Sequence, residues 1–322
     1  MRSKNGIILA KIAVTLSILA VVAWMFDWRA VVDQILGYHP AFFALAVAIF
    51  LLQIACQVLR LRLIAAGDGD AVAWGTLTRL TFASHAVNQV VPSVAGGDAL
   101  RIVLLHRGGV PAMHAVRQVT FDRMMGLVGL VAVVLAAWPF VPASLHRTLS
   151  PERVGGLVAL VVAGIGLALL LSRLIARRRH HPGPLANLAR LGGQLWQGVE
   201  SQSRRPVLLA AVFGVSIVNQ LLWVLGFWVI AWGMPLAVTF PVAAFLLPVT
   251  TLVMMLPFSI AGWGVREAVL AVGLGMVGIP GDAAVASSVV FGLSTTLVGV
   301  LSLPLLVHVW GRPDMAEKRS SR

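Results

Sequence analysis

Six apolar stretches of 18 to 26 residues recur along the chain, at positions 7–26, 41–59, 119–141, 154–171, 207–232 and 285–309. About twenty residues at 1.5 Å rise each match a hydrocarbon core about 30 Å thick, so each stretch reads as a transmembrane helix. With 59% hydrophobic and 11% charged residues, the chain carries more apolar surface than an aqueous fold can hide. The expectation is an all-α, polytopic membrane bundle in which residues 1–322 form a single integral membrane domain.

Charge then orients the spans. The net charge of +13 resides in short loops and tails, which points to membrane orientation and away from nucleic acid. Arg2 and Lys4 precede the first span; Arg173, Arg177, Arg178, Arg179, Arg190, Arg204 and Arg205 fill a basic linker at 173–205; Arg312, Lys318, Arg319 and Arg322 crowd the C-terminal end. Cytoplasmic excess of Lys and Arg puts all three regions inside, as an even number of spans requires of the two termini. The chain is therefore expected in the cell inner (plasma) membrane, with both termini cytoplasmic. Its first span is longer than a signal h-region and is followed by Asp27 and Trp28, so it reads as a retained helix. Tyr38 and the tryptophans Trp24, Trp28, Trp138, Trp232 and Trp310 suit interfacial belts.

Two further apolar segments are interrupted. Residues 72–91 carry Arg79, His85, Asn88 and Gln89 and break at Pro92, Gly96 and Gly97; the apolar run after the break, 99–105, rises only about 10 Å. Residues 238–256 break at Pro257, Gly262 and Gly264, and 268–279 then supply about 18 Å of helix. Neither pair can cross twice, so both read as re-entrant hairpins, the first from inside and the second from outside. Broken backbone at membrane depth is tolerated where protein or a watery cavity satisfies it, which makes these breaks the expected functional interior.

The breaks also match each other. P-S-V-A-G-G-D-A-L-R ending at Arg101 and P-F-S-I-A-G-W-G-V-R ending at Arg266 align without a gap on proline, glycine and arginine. Each half reads span, span, hairpin, span, with opposite starting sides, so 1–141 and 154–309 are expected to be inverted repeats around a midplane site.

Arg101, Arg266 and Arg123 are the leading substrate-binding candidates, because a membrane-buried arginine costs roughly 2.5–3.5 kcal/mol even on the lenient insertion scale. A structural reading pairs each with a neighbouring acid: Asp98 with Arg101, Asp122 with Arg123, and Glu267 with Arg266. A functional reading joins the arginines to Gly96, Gly97, Gly262 and Gly264, which allow tight backbone at a half-helix start, where unpaired N–H groups favour an anion. Arginine one turn further in would complete a phosphate cradle. Gln53, Gln57 and Arg60 make one polar stripe on the second span, suited to a groove or to interhelical bonds, and Asn88, His85, Asn219 and Gln220 admit the same two readings.

No enzyme is expected. G-D-G-D at 67–70 lies in a polar loop and reads as a turn, the nucleotide-binding, serine-hydrolase and zinc-protease motifs are absent, and Cys56 has no partner. No cofactor or metal is implied.

N-Q-V-V-P-S-V-A-G-G-D-A-L-R at 88–101, F-D-R-M-M-G-L at 121–127 and P-F-S-I-A-G-W-G-V-R-E at 257–267, in this order, resemble the transmembrane domain of lysylphosphatidylglycerol synthases, over nearly the whole chain. The resemblance implies a flippase-like domain that moves a phosphate-bearing lipid between leaflets. In the bifunctional synthases a following soluble domain attaches the amino acid; this sequence ends at Arg322 without it, so translocation is expected and synthesis is not. The family pattern also implies an arginine in the last span where Val290 and Phe291 stand, which leaves the second half with fewer charges. The expected partners are membrane lipids, an anionic phospholipid or a polyprenyl phosphate. A small-anion transporter and an intramembrane transferase or phosphatase are the alternatives.

Overall fold

A computed structural model describes residues 24, 26–90, 95–150, 204–234, 236–255 and 263–310, with scattered positions between 152 and 201. The expected spans at 7–26 and 154–171, most of the basic linker, and the breaks at 91–94 and 256–262, Gly262 included, lie largely or wholly outside the described residues. Those that are described form eleven helices of four residues or more and no strand. In chain order these are α1 (Trp28–Leu36), α2 (Pro40–Gly67), α3 (Trp74–Val90), α4 (Ala95–Arg107), α5 (Ala112–Ala137), α6 (Ala143–Thr148), α7 (Pro206–Gly233), α8 (Phe240–Met254), α9 (Val265–Gly275), α10 (Gly281–Leu301) and α11 (Leu303–Trp310).

Among the described residues four helical segments are long and apolar enough to cross a membrane: Pro40–Gly67, Ala112–Phe140, Pro206–Gly233 and Gly281–Val307. They coincide with four of the six expected spans. Their outward faces are apolar: Leu52, Leu135 and Val300 are each about half exposed, and only 28% of the most hydropathic window of Pro206–Gly233 is buried. Water would penalise such faces, whereas lipid tails accept them.

The remaining core helices are, over their described residues, too short to cross. At 1.5 Å per residue, α3 (17 residues) reaches about 25 Å, α4 (13) about 20 Å, α8 (15) about 22 Å and α9 (11) about 16 Å. α4 exceeds the seven apolar residues read from sequence because Gly96, Gly97 and Asp98 at one end and His106 and Arg107 at the other are helical too. The first turns have specific causes. At α2, His39 accepts from the Ala41 N–H through Nδ1 and Pro40 sits where no N–H is needed. At α9, Gly264 takes φ +83°, a left-handed conformation that favours glycine, and Glu267 accepts the Gly264 N–H at 2.6 Å.

Packing centres on α2 against α7 along their lengths. α3 packs on α4 and α4 on α5; likewise α8 packs on α9 and α9 on α10. The halves also interlock, since α3 lies against α10 and α8 against α5. Small residues permit these close approaches. A Cβ on Gly226 would sit 2.2 Å from the Phe50 ring, and one on Gly129 would sit 3.0 Å from the Ser216 backbone. Around Gly226, Phe50, Trp223, Phe227 and Phe291 form one aromatic cluster with neighbouring centroids 4.9–5.7 Å apart.

Candidate functional site

Among the described residues two buried ionic centres hold the candidate arginines, apart from the Arg117–Asp68 pair at the end of α2. The first joins α2, α3, α4 and α5. Arg60 Nε donates to Asp122 Oδ1 at 2.6 Å, while Arg101 Nη1 reaches Asp122 Oδ2 at 3.4 Å. Arg101 further donates from Nε to Ser84 Oγ at 2.7 Å and from Nη2 to Gln57 Oε1 at 3.0 Å; His85 Nε2 lies 3.1 Å from the same Gln57 oxygen. Arg60 also reaches Ser216 Oγ on α7 at 3.4 Å. Beside this group, Arg123 forks onto Asp98 at 2.7 and 2.8 Å. Arg60 and Arg101 are each 4% exposed and Asp122 is 1% exposed, so their charges are met by protein rather than water. Three arginines face two aspartates, and with both aspartates ionised one positive charge is left over.

The second centre joins α9 and α10. Arg266 donates to Glu267 Oε1 from Nε at 3.0 Å and from Nη2 at 2.5 Å, and to Ser288 Oγ at 3.1 Å; Ser288 in turn donates to Glu267. The guanidinium also sits over Trp263 at 4.7 Å and over Phe291 at 5.6 Å. One arginine meets one glutamate here, so the charge balances. Phe291, in the last described span, supplies one of the aromatic faces to Arg266.

The acids therefore find partners other than two of those read from sequence. Asp98 pairs with Arg123 rather than Arg101, and Asp122 with Arg60 and Arg101 rather than with adjoining Arg123. Neighbours one residue apart point about 100° apart around a helix, so Asp122 and Arg123 face different helices. Glu267 does pair with adjoining Arg266, because its side chain turns back toward the helix start to accept the Gly264 N–H.

The glycines serve closeness and capping. A Cβ on Gly97 would meet Asn88 Oδ1 at 2.4 Å and the Ser84 carbonyl at 2.7 Å, and the Gly97 N–H donates to Asn88 Oδ1 at 3.0 Å. Asn88, on α3, thus caps α4, as Glu267 caps α9 from within. Gly96 lies in the first turn of α4, partly buried. The two matched arginines differ in depth: Arg101 is the seventh residue of α4, Arg266 the second of α9.

Ser84, Ser216 and Ser288 were not legible as site residues, since serine in an apolar run carries no charge signal. Asn219, 5% exposed on α7 one turn beyond Ser216, leaves Oδ1 without a partner among the described residues, and Gln220 donates to the Gly126 carbonyl at 3.1 Å across to α5. The G-D-G-D segment is a turn, as read: Asp68 accepts from Arg117 Nε at 3.0 Å and Asp70 from Gln118 Nε2 at 2.7 Å. Among the described residues no group of three metal-ligating side chains occurs.

The family model described as the lysylphosphatidylglycerol synthase TM region matches residues 8–302. No curated protein matches the chain. The chain belongs to the lysylphosphatidylglycerol synthase transmembrane family and is a multi-pass membrane protein.

Proposed function

We propose that this member of the family is a lipid flippase-like transporter that moves a phosphate-bearing lipid between leaflets without altering it. The observation that carries the reading is the surplus positive charge where buried Arg60 and Arg101 share the single carboxylate of Asp122, beside the partly exposed Arg123–Asp98 pair. A buried arginine surplus is stabilised by an anion, and a guanidinium fork fits phosphate. The orphaned Asn219 oxygen nearby adds an acceptor for a headgroup hydroxyl. Because Arg266 is already balanced by Glu267, the centre in the first half is the receptive one in this conformation, and Arg266 becomes available only when Glu267 moves.

The architecture of the proposal is six spans and two re-entrant hairpins, α3–α4 and α8–α9, in two inverted repeats. The packing supports it: exchanging α2, α3, α4, α5 for α7, α8, α9, α10 maps each principal contact among these eight helices onto another. Pairing α2 with α7 maps onto itself, as an axis in the membrane plane requires. The Lys and Arg bias of the sequence favours a cytoplasmic side for the 173–205 linker and both termini in this proposal.

Reconstitution tests this function. Vesicles carrying a headgroup-labelled anionic lipid should lose label protection against a membrane-impermeant reductant when the protein is present, without nucleotide. Anionic lipid should compete and neutral diacylglycerol should not. Unchanged protection for every phospholipid and polyprenyl phosphate, with and without a pH gradient, overturns the flippase reading in favour of small-anion transport.

A further inference from the structure

A groove lies away from both buried centres, where the last turn of α2 meets the first turns of α7. Two open cavities adjoin there. One, about 440 Å³, is lined by Gly67, Arg117, Glu200, Ser201, Arg204 and Arg205. The other, about 460 Å³, is lined by Ala66, Arg205, Pro206, Val207, Leu208 and Ala211. Each falls within the roughly 300–1,000 Å³ usual for a small-ligand pocket, and Arg205 belongs to both. The first is polar and basic; the second is apolar apart from Arg205. Together they make one amphipathic groove.

The groove lies where a candidate span begins, at Pro206, which is where headgroups would meet it. Pro206 begins the most exposed apolar span, and Val207 is 83% exposed, so the apolar cavity faces acyl chains and the arginines just before it face phosphates. Arg117 is spoken for by Asp68, at 3.0 and 2.9 Å, and Ser201 donates to the same carboxylate at 3.1 Å, so these residues form a fixed wall. Arg205 uses one N–H on the Ala66 carbonyl at the end of α2 and makes no ion pair among the described residues. Arg204 meets Glu200 at 2.8 Å, but its side chain is 75% exposed, and such a pair is worth little and yields to a stronger partner.

We propose that this groove holds one anionic phospholipid, with its phosphate on Arg204 and Arg205 and an acyl chain along Pro206, Val207, Leu208 and Ala211. Basic recesses between membrane helices favour acidic headgroups in this way, and adjacent guanidinium groups can fork onto one phosphate. The site stands independently of lipid transfer, because neither arginine touches the buried centres.

The test uses the purified full chain in neutral detergent, with native mass spectrometry against equal phosphatidylglycerol and phosphatidylcholine of matched acyl chains. The wild type should retain phosphatidylglycerol about tenfold in preference, because both lipids offer a phosphate but only phosphatidylcholine brings a quaternary ammonium that Arg204 and Arg205 repel. R204Q/R205Q, on exposed positions, should erase that preference while keeping the helical circular dichroism of the wild type. A211W, which fills the apolar cavity, should weaken both lipids. Equal retention of the two lipids by the wild type, or an undiminished preference in R204Q/R205Q, overturns the proposal. Displacement of phosphatidylglycerol by millimolar inorganic phosphate would show a simple anion site and overturn it too.

Discussion

Asp122 is the residue on which the first ionic centre depends, and Asp122→Asn isolates its charge at nearly constant volume. Its two oxygens serve Arg60 at 2.6 Å and Arg101 at 3.4 Å. A unit-charge pair about 4 Å apart at an effective dielectric of 20 is worth about 4 kcal/mol, and breaking a buried pair by removing one partner typically costs about 3–5 kcal/mol. After substitution Arg60 keeps only Ser216, at 3.4 Å, while Arg101 keeps Ser84 and Gln57. The expected loss is therefore about 3 kcal/mol or more, dominated by Arg60. Arg101→Gln should lose far less stability, since Asp122 retains Arg60. The double variant Arg60→Met/Asp122→Asn, which removes both charges, should be at least about 1 kcal/mol more stable than the sum of the single losses. Reversible unfolding in mixed micelles, followed by tryptophan fluorescence, measures these three variants and the Arg60→Met single that completes the cycle. A loss below about 1 kcal/mol for Asp122→Asn, or strict additivity in the double variant, would refute the argument that one carboxylate holds two buried guanidinium groups.

Four further outcomes are expected. Arg101→Gln and Arg266→Gln should each abolish lipid transfer in vesicles while the protein still inserts, and lysine at either position should rescue only part, lacking the planar fork; wild-type transfer by both glutamine variants would leave the arginines with a packing role alone. Gly97→Ala should destabilise by about 1–3 kcal/mol, because its Cβ meets the Ser84 backbone, whereas Gly214→Ala, with nothing within 4 Å, should be tolerated; equal micellar unfolding midpoints would contradict the close-approach account. Gly292→Ala should displace the Arg266 guanidinium, whose Nη2 lies 2.2 Å from the added Cβ, and reduce transfer as Arg266→Gln does. On a background lacking Cys56, single cysteines at the C-terminal end and in the 173–205 linker should resist impermeant labelling from outside intact cells; labelling of the C-terminal end would overturn the six-span count.

Solvent and element lengths were legible before any coordinates. The runs that become α2, α5, α7 and α10 are too apolar for water and long enough for a bilayer, and a membrane leaves the backbone little choice except helix. The interrupted segments were legible too, because Pro and Gly act locally: α3 and α4, and α8 and α9, are the short helices that the breaks demand. The sequence likewise exposed the charges, since an arginine or aspartate in an apolar run is conspicuous. It could not tell which acid serves which arginine. That depends on helix rotation and on which helix comes opposite, so Asp98 went to Arg123, Asp122 to Arg60 and Arg101, and only Glu267 stayed with its neighbour. The serines that complete the centres, and the residual positive charge in the first half against the balance in the second, are properties of three or four helices meeting at once. Local spacing specifies which groups are present; tertiary packing alone decides which are neutralised, because ion pairs form through space between elements whose order along the chain does not fix their facing sides.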